Sequence, residues 1–284
     1  MIKSYKARRT IANTLIYIVL AVLGIIWISP LVYLVLHSFR AEGLSTVPYL
    51  IPQEYTLDNY IKLFTNTATL NFPRWYLNTF VVAVFSCVIS TLSVLMVSYA
   101  FSRLRFKSRK KFLNVGMILG MFPGFMTMIA IYYLLKEIGL NQPLVGLVIC
   151  YSAGAGLGFQ ISKGFFDTIP RALDEAATVD GATRNQIFWK IILPMSKPIV
   201  VYTVLTSFIG PWTDFILCKL IMGDNVDNYT VAIGLQRMLQ PEFMTSYYKQ
   251  FLAGSVLVAL PITILFLKMQ KYYVEGVTAG GVKG

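Results

Sequence analysis

The distribution of charge along the chain constrains its fold more than any other feature. Six stretches are almost free of Asp, Glu, Lys and Arg, and each is close to or above the roughly 20 apolar residues that a helix needs to cross a bilayer. A closed barrel, the other structure that can span lipid, would show short alternating segments instead. The sequence therefore predicts an all-α integral membrane protein with six transmembrane helices. The predicted spans are residues 11–37, 76–102, 112–135, 138–162, 198–222 and 250–267.

Composition supports this fold class and excludes a soluble domain. The chain is 56% hydrophobic with a mean hydropathy of +0.63. Only 13% of its residues are charged, against about 25% in soluble proteins. The N-terminal uncharged run is longer than the roughly 7–15 apolar residues of a signal peptide, so we interpret it as the first membrane helix.

The positive residues predict the orientation of the chain. Of the 25 Lys and Arg residues, 18 lie in the N-terminal ten residues, the loop after the second span, the 163–197 segment and the C-terminal tail. Positive loops stay in the cytoplasm, so both termini are predicted to be cytoplasmic. Basic loops beside anionic membrane lipid account for the net charge of +12 without a nucleic-acid partner.

Few residues in the predicted spans carry chemistry. The three Cys lie in apolar spans and the chain has one His, which predicts neither a disulfide framework, a metal site nor a catalytic site. No P-loop motif with the required spacing is present. Asp214, beside Trp212, is the one intramembrane acid that could contact a molecule in transit, although a structural hydrogen bond explains it equally well. Met121-Phe122-Pro123-Gly124 is expected to break the third helix.

A short polar segment at residues 165–197 interrupts the membrane pattern. Residues 171–179 favour a helix, because Ala is a strong helix former and the acids Asp174 and Glu175 lie where the helix dipole favours them. At about 1.5 Å per residue this helix is only about 14 Å long, too short to be stable alone. The residues leave two interpretations open: a helix that enters a socket on another protein, or an amphipathic helix on the membrane surface.

A turn and a second helix complete this segment. Asp180-Gly181 predicts the turn, and the apolar spacing predicts a helix over residues 183–192 that Pro194 ends.

The spacing of these residues resembles the EAA loop of binding-protein-dependent ABC importer permeases. The matching residues are Glu175-Ala176-Ala177, Asp180-Gly181-Ala182, Ile192-Leu193-Pro194 and Pro198. Further similarities to the sugar permeases are "SFR" at 38–40, "YTLDNYIKLF" at 55–64, "WYLNTF" at 75–80 and "PWTDF" at 211–215. The closing "GVTAGGVKG" at 276–284 is similar to the tail of the maltose/maltodextrin permeases of the MalG type.

The resemblance implies a fold, a location and a set of partners. The fold is that of a type I ABC importer permease, a single transmembrane domain over residues 1–284 in the inner or plasma membrane of a prokaryote. The partners are a second, homologous permease in a heterodimer, an ATPase dimer and an extracellular sugar-binding protein. The ATPase would bind ATP and Mg, and this chain would hold no cofactor and would not be an enzyme.

The resemblance also implies residue roles. Glu175 would make an ionic contact with the ATPase, and Asp180 would belong to the same coupling loop, 165–197. Small residues would permit close approach at Ala176, Ala177 and Gly181, and Leu193-Pro194 would anchor the segment. The tail 276–284 would reach the ATPase interface through Gly276, Thr278, Gly280, Gly281 and Lys283. The loop 223–249 would meet the binding protein. Trp212 and Asp214 remain candidate pathway residues, but the family often has Asn-Glu where this chain has Thr213-Asp214.

Other functions remain as alternatives. The sugar could be another oligosaccharide or an α-glucoside rather than maltose or maltodextrin. A self-sufficient ion-coupled carrier is a different class, and the scarcity of intramembrane acids argues against it. A membrane scaffold without transport is a third class.

Overall fold

A computed structural model describes residues 5–42, 51–154 and 158–281, and these residues are predominantly helical. The only strand-like pairing among them is an isolated antiparallel bridge between Arg40 and Tyr55. The helices are α1 (Tyr5–Ser38), α2 (Asp58–Thr65), α3 (Phe72–Arg103), α4 (Arg109–Gly120), α5 (Gly124–Glu137), α6 (Leu144–Gly154), α7 (Phe159–Asp167), α8 (Ala172–Val179), α9 (Arg184–Ile187), α10 (Leu193–Met195), α11 (Lys197–Thr213), α12 (Ile216–Met222), α13 (Val231–Met238) and α14 (Pro241–Gly281), with a π-turn at Phe188–Ile192 and a 3-10 turn at Val226–Asn228.

The apolar helices agree with the predicted membrane spans in number if bent pairs are counted as single spans. Within the described residues, four stretches are long and apolar enough to cross a bilayer: Arg9–Ser38, Phe72–Arg103, Leu144–Asp167 and Pro241–Tyr272. Leu144–Asp167 comprises α6 and α7, on either side of the undescribed residues 155–157. Two bent pairs, α4 with α5 and the helices of Arg184–Met195 with α11, bring the total to six.

Two predicted spans are not straight helices. The third is broken between α4 and α5 by a bend of 102°. The break falls at the Pro-Gly pair that predicted it, since Pro123 has the extended ψ of 127° and begins α5 as its N-cap. The predicted span 198–222 is not a single helix, and in this respect the prediction was wrong. Helix α11 ends at Thr213, Asp214 adopts an extended ψ of 110°, and α12 begins at Ile216.

The described chain divides into two compact units. The first comprises residues 1–70 and 237–257. In it, the Asn59 side chain donates hydrogen bonds to the carbonyls of Ser38 and Arg40, each 2.9 Å long. The Tyr60 hydroxyl lies 2.7 Å from Ser38 Oγ. These contacts fix the short helix α2 against the end of α1.

The second unit comprises residues 71–236 and 258–284. Helix α3 is its central element, because α6, α7 and α11 all pack against it. Polar contacts join the layers at specific points. Ser90 Oγ lies 2.9 Å from Ser207 Oγ of α11, and Ser98 donates to the Phe159 carbonyl at the start of α7. Small hydroxyl residues of this kind let membrane helices approach closely.

Candidate functional site: the 165–197 segment

The first short helix of the segment has the form that the sequence predicts. Helix α8 spans Ala172–Val179 and carries Asp174 and Glu175 in its first turn. It ends in a tight turn where Gly181 has a φ of +80°, a conformation that favours glycine. The Ala182 amide then bonds the Ala177 carbonyl at 2.9 Å. The chain thus reverses within a few residues and sets the second helix beside α8.

Helix α8 has one buried face and one exposed face. Ala177 is 9% exposed and belongs to the apolar core beneath the helix. Glu175 and Ala176 are exposed, and Val179, at 88%, is the most exposed of the large apolar side chains that the structure describes. A shallow groove of about 340 Å³ is lined by Asp174, Glu175, Thr178 and Val179. An apolar tip beside a carboxylate on a small-residue helix can enter a complementary socket.

The second helix starts as predicted but ends later. Thr183 is its N-cap and forms a capping box with Gln186, in which each side chain accepts from the other residue's backbone amide. The helix continues through the π-turn Phe188–Ile192 and α10 to Met195. The prediction that Pro194 ends it was wrong, because the helix includes Pro194, shortly after the π-turn, and ends one residue later at Met195. The chain bends at Ser196, and α11 leaves at 85° to the preceding helix.

A hydrophobic core attaches the segment to α3. The core combines residues from α3, α7, both short helices and α11: Leu95, Tyr99, Phe166, Ile169, Ala177, Ile187, Phe188, Ile192 and Ile199. The Tyr99 and Phe188 rings lie 4.9 Å apart, and the Tyr99 hydroxyl donates to the Arg184 carbonyl at 3.1 Å. One face of the segment is therefore fixed to the membrane helices.

Arg103, at the end of α3, holds the segment by polar contacts. Its side chain is only 4% exposed, and it lies 3.3 Å from the Asp174 carboxylate of α8. Its guanidinium also donates to the carbonyls of Phe166 and Ile169 at 2.8 and 2.9 Å. From the sequence, Arg103 was identified only as one of the positive charges in the loop after the second span. Its role depends on partners some 60 to 70 residues away, which leave no local signal.

Ser102 and Arg171 add a second set of polar contacts at the same place. Ser102 donates to Asp167 at 2.6 Å, and Lys163 pairs with the same carboxylate at 2.6 Å. Arg171 donates to the Ser102 carbonyl at 3.2 Å. Two hydrogen bonds thus join the end of α3 to α7 and to the start of α8, and the ion pair lies within α7.

Leu193 and Pro194 lie at the far end of the segment. Leu193 is half-buried against the hydrophobic core, whereas Pro194 is exposed. Both line a groove of about 450 Å³ together with Lys197, Val200, Val201 and Tyr272.

Trp212 and Asp214 are not part of this segment. Trp212 is 2% exposed and its ring meets that of Tyr76, near the start of α3, at 5.1 Å. The Asp214 carboxylate accepts from the Tyr151 hydroxyl at 3.1 Å and from the Leu217 amide at 3.0 Å. These hydrogen bonds stabilise the break between α11 and α12.

The predicted tail residues belong to the C-terminal end of the chain. Gly276, Thr278, Gly280 and Gly281 lie in the last turns of α14, and Lys283 lies outside the described residues. Within the part of the chain that the structure describes, no group of three or more His, Cys, Asp or Glu side chains could hold a metal ion.

The 223–249 loop contains a structured element that the sequence did not predict. The Asn78 side chain donates to the carbonyls of Asp227 and Tyr229 at 2.9 and 3.0 Å. The Trp75 indole donates to the Val226 carbonyl at 2.9 Å, and Thr79 Oγ1 accepts from the Val231 amide at 2.7 Å. Residues 226–236, here called the outer segment, are therefore fixed to the first turns of α3.

Comparison with known proteins identifies the class of this helical membrane protein. Residues 93–278, which include α8 and most of the 165–197 segment's contacts with α3, match the family of binding-protein-dependent transport system inner membrane components. The chain belongs to this family.

Relatives that match over nearly the full length of this chain are named as transport system permease proteins. The chain is 35% identical to the galactooligosaccharides transport system permease protein GanQ of Bacillus subtilis, with all of both chains covered. It is 34% identical to the maltodextrin transport system permease protein MalD of Streptococcus pneumoniae, again over 100% of each. It is also 34% identical to the maltose/maltodextrin transport system permease protein MalG of Escherichia coli, over 99% of this chain and 98% of that one.

Solved structures share the fold. A chain from a bacterial ABC transporter involved in the import of the acidic polysaccharide alginate superposes with a TM-score of 0.79 at 21% identity, covering 96% of this chain and 99% of that one. A chain of the MetNI methionine ABC transporter superposes with a TM-score of 0.53 at 18% identity, covering 76% of this chain and 97% of that one. The predicted fold, that of an ABC importer permease, is confirmed.

Proposed function

We propose that this chain is the permease subunit of an ATP-driven, binding-protein-dependent importer for maltose/maltodextrin-type sugars. Its 165–197 segment, called the coupling segment from here on, couples closure of a partner ATPase to movement of the membrane helices. The observation that carries this proposal is the two-faced helix α8. Its inner side is fixed to α3 through Ala177 and Asp174, while Glu175, Ala176 and Val179 face outward. A helix so arranged can receive force on one face and deliver it through the other.

The exposed face fits a protein socket better than a lipid surface. A helix that lies on a membrane buries an apolar face in the headgroup region and carries basic residues on its polar face. The exposed face of α8 instead carries the acid Glu175 beside small Ala176, with Val179 and the less exposed Leu173 as its apolar side chains. A carboxylate of this kind suits a cationic side chain on a partner protein. Asp180 and Gly181 border a second groove of about 250 Å³ on the other side of the turn, so the partner would contact both sides.

The partners and cofactors follow from this assignment. A second, homologous permease completes the pathway, an ATPase dimer binds ATP and Mg, and an extracellular binding protein delivers the sugar. The chain itself is a transport subunit without ATPase activity. The excess of Lys and Arg on one side supports cytoplasmic termini and a cytoplasmic coupling segment. The location is the inner or plasma membrane of a prokaryote, and the tail after Gly276 reaches the ATPase.

The relatives support an oligosaccharide as cargo. Two of the relatives described above carry maltodextrin in their names and a third carries galactooligosaccharides. Another oligosaccharide, such as a galactooligosaccharide, or an α-glucoside is therefore the second candidate, and uptake with a panel of labelled oligosaccharides decides between them.

Charge reversal at Glu175 tests the coupling role. The variant Glu175→Lys should lose sugar uptake by about tenfold or more, because removing one partner of an interfacial charge pair costs about 2–5 kcal/mol and each 1.4 kcal/mol is about a factor of ten. The matched control is Glu175→Asp, which keeps the carboxylate and should retain most of the uptake. Both variants should insert in the membrane at the normal level. Unchanged uptake with Glu175→Lys would contradict the proposal.

Purification in mild detergent, with mass spectrometry of the bound chains, tests the partners directly. An ATPase and a second permease should remain bound to the tagged chain. Isolation of the chain alone under several detergents would remove the main support for a coupling segment.

A further inference from the structure

The coupling segment and the outer segment are both held by α3, at its opposite ends. At the inner end, Tyr99, Ser102 and Arg103 make the contacts with the coupling segment described above. We call these three residues the inner clamp. Arg103 is its centre, since it joins α8 and the end of α7 through one buried guanidinium.

The outer end of α3 carries a second group, here called the outer clamp, made of Trp75, Asn78 and Thr79. All three bond backbone atoms of the outer segment. Trp75 and Thr79 are fully buried. Gly234 lies so close to the Trp75 ring that a Cβ at this position would collide with it. The outer segment is therefore seated on α3 by directional bonds and by close packing.

Between the clamps α3 is uninterrupted. Its 32 residues correspond to about 48 Å at roughly 1.5 Å per residue. After Pro73 in the first turn, its sequence contains neither Pro nor Gly, the residues at which helices usually kink.

The neighbouring helices of the same unit are shorter or broken. Helices α4 and α5 meet at 102°, and α11 ends after 17 residues at the break that Asp214 stabilises. Helix α3 runs from the coupling segment to the outer segment as one continuous helix.

We propose that α3 is a rigid strut that transmits displacement of the coupling segment to the outer segment, with Arg103 and Asn78 as positioning residues at its two ends. The inference rests on the proposed function, because the displacement would come from the ATPase. The buried Arg103 guanidinium binds two carbonyls and a carboxylate, so it can move little relative to the coupling segment. The Asn78 amide bonds two carbonyls and is held in the same way to the outer segment. A rotation of α8 would then reorient the outer segment on the other side of the membrane.

The test measures movement at both ends in the purified complex with its natural partners. A thiol-reactive, environment-sensitive fluorophore is attached at Asn185→Cys in the coupling segment or at Gln236→Cys in the outer segment. Both positions are exposed. The native Cys87, Cys150 and Cys218 are buried, and the complex without an added cysteine gives the background. Addition of ATP with Mg should change the emission of both labels.

Softening the strut between intact clamps is the decisive variant. Val88 and Ile89 lie mid-helix on the exposed face of α3, 54% and 44% exposed. Changing both to Gly weakens the helix there, whereas changing both to Ala removes the same side chains and keeps helix propensity. With the Gly pair, the ATP response at residue 185 should persist and that at residue 236 should be lost. With the Ala pair, both responses should remain.

The clamp residues provide a second set of variants. Arg103→Gln should remove the response at residue 236, and Arg103→Lys should recover only part of it, because an ammonium cannot reproduce the guanidinium fork. Arg105→Gln, which changes an exposed arginine in the same loop, should leave both responses unchanged. Asn78→Leu should abolish the response at residue 236 alone. A purely structural role would lower the stability of the complex without separating the two labels.

The outcomes distinguish this inference from the proposed function. A full response at residue 236 in the Gly pair would overturn the strut, and so would an unmodified complex that responds only at residue 185. If no ATPase binds the chain, or residue 185 does not respond to ATP, the proposed function fails and the strut fails with it.

Discussion

The two ends of α3 hold their segments by different chemistry. The inner clamp uses a buried ion pair, Arg103 with Asp174, on top of an apolar core. The outer clamp uses neutral side chains that bond backbone carbonyls and one backbone amide, and the ion pair beside it, Arg74 with Asp227, is about half exposed or more on both sides. A buried ion pair depends on both partners, because removing either leaves an uncompensated charge. The inner attachment should therefore be the more sensitive to single substitutions.

The different contacts at the two ends of α3 also match the different surfaces that the two segments expose. The coupling segment turns a short exposed face toward a partner, so its inner face must resist a force with few residues. The outer segment is bonded through its own backbone, and many sequences can supply such carbonyls. Charged contacts and core packing are thus concentrated at the coupling segment, which presents only the short helix α8 to its partner.

The largest effect is expected from Phe188→Ala. Phe188 is 5% exposed and packs on Tyr99, and truncating a buried Phe costs about 3–5 kcal/mol. Hydrogen exchange of residues 172–195 in the purified complex should accelerate strongly, with little change in the outer segment. Trp189→Ala, at a neighbour that is 43% exposed, is the matched control and should have a much smaller effect. Equal effects of the two variants would show that the core does not hold the segment.

Gly234→Ala makes the corresponding change at the outer end. The added Cβ would meet the Trp75 ring, and overpacking of this kind costs about 1–3 kcal/mol. Exchange should accelerate in residues 226–236 and stay normal in the coupling segment. Gly210→Ala serves as the control, because nothing lies within 4 Å of a Cβ there and Ala favours the helix. An unchanged outer segment in Gly234→Ala would mean that the Trp75 contact is not close packed.

The sequence was informative where the signal is local. Charge-free runs indicated apolar membrane helices, Pro123 located the break before α5, and Asp180-Gly181 located the turn after α8. These features depend on backbone preferences of a few adjacent residues. The EAA spacing is readable for a related reason, since the exposed face of α8 is built from consecutive residues.

The sequence was silent where contacts join distant residues. Arg103 and Asp174 are 71 positions apart, and Asn78 and Tyr229 are 151 apart. A lone Arg or Asn carries no mark of its partner. The break at Asp214 was missed for the same reason, because the Tyr151 hydroxyl that supports it comes from another helix.

A smaller effect is expected from Thr183→Ala, which removes the capping box at the start of α9. Loss of an N-cap side chain costs about 1 kcal/mol, and the Gln186 backbone amide loses its acceptor, the Thr183 hydroxyl. Exchange should accelerate in the amides of residues 184–187 and leave α8 unchanged. The matched variant Thr178→Ala removes a hydroxyl that bonds only the Asp174 carbonyl of its own helix, so it should change little. Acceleration throughout α8 would show that the two short helices unfold as one unit.

The smallest effect is expected from Arg74→Ala, and it separates the two clamps most clearly. Arg74 lies 3.3 Å from Asp227, but the side chains are 49% and 70% exposed, and exposed pairs contribute about 0–1 kcal/mol. Any acceleration of exchange in residues 226–236 should disappear near 1 M salt, where the Debye length falls to about 3 Å. Asp174→Asn at the inner end should instead destabilise α8 at every salt concentration, because Arg103 is then buried without its counter-charge. A large effect of Arg74→Ala at low salt that high salt removes would mean that charge, and not the bonds from Trp75 and Asn78, holds the outer segment, and the contrast between the two ends of α3 would fail.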